Sequence, residues 1–289
     1  MSQVVQVLDA HKRELAKGVH VARVLPQIER RNVGPFVFVD HFGPVDFVPG
    51  RGMDVGPHPH IGLATVTWLF DGEITHRDSL GYIQVIRPGE VNWMVAGRGI
   101  VHSERTGDTV RAAGGRAHGL QLWVALPLEA EESDPSFTHY SASQIPTVQV
   151  GGVTVSVVAG AAFGVGSPVK TQSPLFYGIA TMAPGARLTI PRGFAERAIY
   201  VINGECIVDG NTYDRHQMVV LGDGDVTVSA AYPAHIAIFG GPPLDAPRHL
   251  LWNFVASDKE RLFQARDKWK AGAFPLIPGD HDALVPFPD

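Results

Sequence analysis

Cysteine is nearly absent from this chain: Cys206 is the only one in 289 residues, so no internal disulfide can form. The fold must hold by its apolar core, and a reducing compartment is expected. Long hydrophobic runs are missing as well. The apolar stretches are strand-length, short of the roughly 18 residues that a membrane-crossing helix needs. The opening "MSQVVQVLDAHKREL" carries polar and charged residues too early for a secretory segment, so a cytoplasmic location with no membrane association is the expectation. Clustered positive charge is lacking too. Lys and Arg number 24 against 29 Asp and Glu, for a net charge of −5, and no basic run exceeds two residues. Direct nucleic-acid binding needs a basic patch, so that class is set aside. The chain also contains no phosphate loop, dinucleotide fingerprint or nucleophile elbow.

Turn formers, in contrast, are plentiful. The 32 glycines and 22 prolines punctuate short apolar segments, the pattern of an all-β sandwich or barrel. Strands are expected at Val19–Leu25, Phe36–Asp40, Ala64–Phe70, Tyr82–Ile86, Val91–Val95 and Gly119–Ala125, with a turn at Asp71-Gly72. The polar stretch from Pro127 to Pro146 reads as a connection, after which strands resume. "TVTWLFDGEITHRD" and "RAIYVINGECIVDG" share an aromatic, an apolar pair and a Gly-Glu, which suits a duplicated β-domain. Domains over 1–135 and 136–289 follow. The last element, "SDKERLFQARDKWKAG", predicts a helix over about 257–271. Ser257 and Glu260 form its capping box and Gly272 its C-terminal stop, and an extended tail lies beyond it.

The chemistry concentrates in the first half. His58 and His60 stand at i and i+2, which in a strand puts both imidazoles on one face, about 6.5 Å apart along the chain. Pro59 faces the other way and cannot donate to a ladder, so a strand end or bulge is expected there. His102 and Glu104 repeat the spacing, delivered by the turn Gly97-Arg98-Gly99. A single H-x-H is ordinarily a surface or hydrogen-bonded pair. A second pair with the same period, on a neighbouring strand, makes a metal site the favoured reading. Ligand type alone leaves Fe, Ni, Mn, Co, Cu and Zn open, with coordination positions free for O₂, water or a chelating substrate.

These residues lie within longer matching stretches: "VDHFGP", "HPHIGLATVTWLFDGEITHRDSLG", "RPGEVNWMVAGRGIVHSE", "GLQLWVALP" and "WNFVASDKERLFQARDKWKAGAFPLIPGD". Together they resemble the pirin family of the cupin superfamily over nearly the whole chain. The resemblance implies two tandem cupin (jelly-roll-like) β-barrels with a C-terminal helix that packs back on them. It implies one divalent ion, Fe(II) first among the candidates, in the N-terminal barrel on His58, His60, His102 and Glu104. Many pirins carry an acid where this chain has Ala64, so that position cannot serve as a ligand here. An offset of one half onto the other sets Ile190 against His58, Arg192 against His60 and Glu196 against Ala64, with His235 and Ala237 near the other two. No metal is expected in the C-terminal barrel.

Among the remaining candidates, His41 reads as a loop histidine and Asp40 as a turn former or a support for the site. His76 and His118 carry no assigned role. Asp223 and Asp225 read as a hairpin turn, because they lack the spaced ligands of a calcium loop. Cys206 reads as buried and inert, and Trp68, Trp93, Met94 and Trp123 as barrel core. The resemblance implies two functions. One is a quercetin 2,3-dioxygenase-like oxidoreductase that opens a flavonol with O₂ and releases carbon monoxide, with Glu104 taking the substrate proton. The other is a non-enzymatic, iron-binding redox sensor that docks on a transcription factor or metabolic enzyme.

Overall fold

The structure, a computed structural model, describes residues 3–16 and 19–288. It is all-β, built as two cupin sandwiches that each pair a larger sheet with a four-stranded one. The two compact units are not contiguous halves. Unit I comprises residues 1–12, 22–40 and 143–243, and unit II comprises 13–21, 41–142 and 244–289. Each terminal segment is grouped with the other half of the chain. The reasons are local. Strand Val4–Asp9 pairs antiparallel with Gln217–Leu221, Val7 facing Val219, and so covers an edge that would otherwise present unpaired backbone. At the other end, the apolar stripe of the terminal helix needs a cluster to bury against, and finds it in unit II.

In unit I the larger sheet runs Val4–Asp9, Gln217–Leu221, Glu196–Asn203, Ala234–Gly241, Phe176–Met182, Val153–Ala162 and Thr147–Val150. The smaller runs Arg187–Ile190, Val226–Ser229, Glu205–Val208 and Asn211–Asp214. Period-two burial follows the sequence: in "RLTI" only Leu188 and Ile190 are buried, and in "VTVS" only Val226 and Val228. These side chains fill the interior with Val155, Val157, Val201, Ile236 and Ile238. Cys206 sits among them, fully buried, and burial pushes its thiol up to about 12. Asp223 and Asp225 do make a turn, but not a hairpin. The strands on either side, Gln217–Leu221 and Val226–Ser229, pair with different partners in different sheets.

A seven-stranded sheet runs Ser136–Tyr140, Val91–Val95, Leu63–Asp71 and Gly115–Ala125, all in unit II, then Phe36–Phe47, Val19–Leu25 and His11–Ala16, each divided between the two units. The smaller runs Asp54–His60, Ile100–Arg105, Ile74–Asp78 and Ile83–Ile86. "LATVTWL" is buried at every position, the mark of a central strand covered on both faces. Trp68, Trp93, Met94 and Trp123 are all buried. The 127–146 stretch is more than a connection. Residues 136–140 pair with Val91–Val95 and bury Phe137 and Tyr140, while Ser136 and Thr138 are exposed. The two buried residues of this strand are three apart and break strict alternation, which masked its period. A six-residue helix, Asp108–Ala113, adds to the single helix expected.

The terminal helix spans Lys259–Lys270. Leu262, Ala265 and Trp269 form its buried stripe against Ile61, Val101, Phe254 and Ile277. Its N-cap is Asp258, whose carboxylate accepts the Glu260 N–H at 3.0 Å. Ser257 is not the cap because its hydroxyl is already committed, donating to Glu131 Oε2 at 2.7 Å. Gly272 ends the helix in the left-handed region, as expected. Among the described residues no helix is long and apolar enough to cross a membrane.

Candidate metal centre

The smaller sheet of unit II sets the histidines. Asp54–His60 and Ile100–Arg105 run antiparallel, with His102 opposite His58 and Ile100 opposite His60. Alternation sends the three imidazoles to one side and Val101 to the other, where it joins the helix cluster. The register slips between His102 and Glu104, which faces Val55. Such a bulge re-aims a side chain beside a site.

His58, His60 and His102 are buried, at 7, 1 and 1 % exposure. Their ring centroids lie 4.4 to 5.0 Å apart, and each offers a nitrogen within 4.8 Å of the others. His58 Nδ1 is 2.8 Å from the Gly56 carbonyl and His60 Nδ1 is 3.0 Å from that of Asn253. A carbonyl oxygen only accepts, so both rings carry their proton on Nδ1 and leave Nε2 bare. His60 Nε2 in turn lies 3.1 Å from His102 Nε2. Burial lowers the proton affinity of all three. His58 falls to about 4, and His60 and His102 go well below their ordinary value, with neighbouring imidazoles adding to the effect. Neutral imidazoles crowded around one point, with unprotonated nitrogens facing inward, fit a divalent transition metal.

Glu104 is not part of that group of three. It is partly buried, and Oε1 lies 3.4 Å from the Thr67 hydroxyl, which donates to Gln121 Oε1 at 2.8 Å. Desolvation raises its carboxyl above the ordinary value, against the pull of His76 and Thr67. Trp123 stands edge-on to His60 with centroids 5.1 Å apart, so one of the core tryptophans borders the centre. Ala64 is fully buried on the central strand and offers no donor.

The remaining candidates fall elsewhere. His41 lies in a strand rather than a loop, buried, with Nε2 2.8 Å from His118 Nε2. Asp40 neither turns the chain nor touches the centre. It holds Arg23 through two bonds of 2.7 Å, and burial raises its carboxyl against that pairing. In unit I, Ile190 and Ala237 are buried, Arg192 pairs with Asp225, and Glu196 accepts the Gly34 N–H at 2.6 Å. His235 is half-buried between Ala234 and Ile236, whose side chains belong to the core. Three groups around the centre escaped the sequence reading. His76 and Asp78 lie on the neighbouring strand Ile74–Asp78, where Asp78 faces His102 and His76 faces Glu104. They carry the same i, i+2 spacing as the other pairs, which is the signal that could have found them. The Asn253 carbonyl has no such signal, because a backbone atom leaves none.

Comparison with known proteins agrees with this architecture. The Pirin family model matches residues 18–124, and the Pirin C-terminal cupin domain matches 177–275. A pirin-like protein of Caulobacter vibrioides is 47% identical over 98% of this chain and 99% of its own length. Human pirin is 34% identical over 89% of each chain. The crystal structure of a quercetin 2,3-dioxygenase from Acinetobacter baumannii superposes with a TM-score of 0.92 at 36% identity, covering 99% of this chain and 96% of that one. With its two cupin units, its histidine triad and identity sustained from end to end, the chain belongs to the pirin family.

Proposed function

We propose that this pirin is a metal-dependent dioxygenase acting on a flavonol-like substrate. The observation that carries the reading is the convergence of three buried, neutral imidazoles on one point with a carboxyl two residues beyond the third. His58, His60 and His102 would hold a divalent ion, Fe(II) in the first instance, and Glu104 would be its fourth protein ligand. When bound, the ion supplies open coordination positions and the Lewis acidity that draws a phenolic hydroxyl toward ionisation. Glu104 then accepts the hydroxyl proton on a carboxylate oxygen. Thr67 and Gln121 set where that carboxylate rests. The sequence and fold similarity to the Acinetobacter quercetin 2,3-dioxygenase supports the substrate class.

The test is anaerobic loading with Fe(II), then loss of flavonol absorbance on admission of O₂, with carbon monoxide collected. Fast loss that disappears in His58→Ala is expected. A protein that holds one iron and leaves the flavonol untouched overturns the enzymatic reading in favour of a redox-responsive binding protein. Glu104→Gln separates the roles further. It should retain most of the iron, by metal analysis, yet lose turnover about 100-fold or more. Turnover at the normal rate would remove Glu104 as the base.

A further inference from the structure

His58 and His60 have their Nδ1 protons fixed by backbone carbonyls, but His102 does not. Its Nδ1 lies 3.4 Å from Nδ1 of His76, a side chain only 3 % exposed. The other nitrogen of His76, Nε2, lies 2.9 Å from Asp78 Oδ2, and Asp78 has no exposure at all. Asp78 Oδ1 in turn accepts the N–H groups of Leu80, at 2.9 Å, and Tyr82, at 3.1 Å. The His76 ring is stacked flat on Phe137, with centroids 4.2 Å apart and 11° between planes. These contacts settle the proton positions in order. Backbone donors occupy Oδ1, so Oδ2 receives the His76 proton, which must be on Nε2. A neutral His76 then has a bare Nδ1, which can only accept. The proton between the two rings therefore sits on His102 Nδ1, and His102 Nε2 is left bare toward the centre.

We infer that Asp78 and His76 are positioning residues that fix the tautomer of His102, so that all three imidazoles present Nε2 to the same ion. This rests on the reading of His58, His60 and His102 as the metal-holding residues. The arrangement joins three strands of one sheet: His102 on Ile100–Arg105, His76 and Asp78 on Ile74–Asp78, and His58 across the pairing on Asp54–His60. It also explains a conflict in the geometry. Two bare nitrogens of His60 and His102 face each other at 3.1 Å, which is unfavourable until a cation lies against both. The supporting pair costs the protein a buried carboxylate, and orienting the third ligand is what that carboxylate does.

The test titrates Co(II) into the metal-free protein, read by visible absorption and by the rise in melting temperature. Asp78→Asn keeps the shape but can turn its amide N–H toward His76, which reverses the proton order and puts a proton on His102 Nε2. It should lose about 10–100-fold in Co(II) affinity. His76→Phe keeps the stacking on Phe137 but offers no acceptor, and should lose as much. His76→Gln offers an amide oxygen and should recover part of the loss. Histidine ¹⁵N chemical shifts give the readout that a purely structural role would not move. Wild type should show His102 protonated at Nδ1 and His76 at Nε2, and Asp78→Asn should show His102 protonated at Nε2. Unchanged Co(II) affinity in Asp78→Asn, or a wild-type spectrum with His76 protonated at Nδ1, overturns the inference. The wild-type spectrum decides even where a variant fails to fold. A wild type that binds no Co(II) overturns the metal reading itself.

Discussion

Gly62 turns the chain between the strand of His58 and His60 and the strand of Thr67, in the left-handed region at φ +67°. A Cβ there would meet the Val255 carbonyl oxygen at 1.9 Å, and backbone on both sides leaves no flexible group to yield. Gly62→Ala is therefore expected to cost about 2–4 kcal/mol, by strain and clash together, read as a shift in the urea midpoint. Cys206 makes the opposite kind of prediction. Its thiol is buried and pushed up to about 12, so thiolate is scarce at neutral pH. A thiol reagent should leave the native protein unlabelled and modify it once in denaturant, and labelling of the folded chain would contradict this burial. At this scale the histidines were legible because strand alternation is a local rule. His60's acceptor was not, since it is a carbonyl 193 residues away.

The strand Ile100–Arg105 is used on both faces. His102 points to the centre and Glu104 toward Thr67, while Ser103 and Arg105 are both held by Asp280. The Ser103 hydroxyl donates to Oδ2 at 2.7 Å, and Arg105 donates to both oxygens at 2.8 and 2.9 Å. The Arg105 bonds, followed by Ser103, hold the Asp280 carboxyl below its ordinary value of 3.8. A depressed carboxyl stabilises the fold above its unfolded value and ceases to do so as pH falls through the native one. Hydrogen-exchange protection in residues 277–285, relative to the intrinsic rate at each pH, should thus hold at neutral pH and fall only in acid, below about pH 4. Asp280→Asn should produce that loss of protection at neutral pH and lower stability by about 1–2 kcal/mol. The elements themselves were legible wherever one face was apolar and the other polar in strict alternation. Phe36–Phe47 ran past its expected end, because "FGPVDF" carries glycine and proline that ordinarily end a strand. Ser136–Tyr140 was hidden because its buried residues, Phe137 and Tyr140, do not alternate.

At the scale of the molecule, both sandwiches could be inferred from the repeated strand pattern and the family resemblance, but not their boundaries. Nothing in the local sequence says that Val4–Asp9 pairs beyond residue 200, or that the last 46 residues belong with the first histidines. Non-local pairing is decided by which edges and apolar faces remain uncovered. Deleting residues 244–289 tests this directly. All of unit I and all four of His58, His60, His102 and Glu104 remain, but the Asn253 carbonyl, Asp280 and the buried face of the helix are gone. Calorimetry should retain one cooperative transition and lose the other, with no uptake of Co(II). A shortened chain that binds Co(II) as the whole chain does would show that the terminal segment is dispensable to the centre.

The bond from His60 to the Asn253 carbonyl also sets a schedule. A growing chain presents His60, His102 and Glu104 early, but the acceptor that orients His60 is made 193 residues later. At roughly 5–20 residues per second, that gap is about 10–40 s of translation. During that time the imidazoles exist without their final orientation, while residues 143–243 are being made. The orientation of His60 is thus fixed only after residue 253 has been made, and an ion that needs that orientation can be held no earlier.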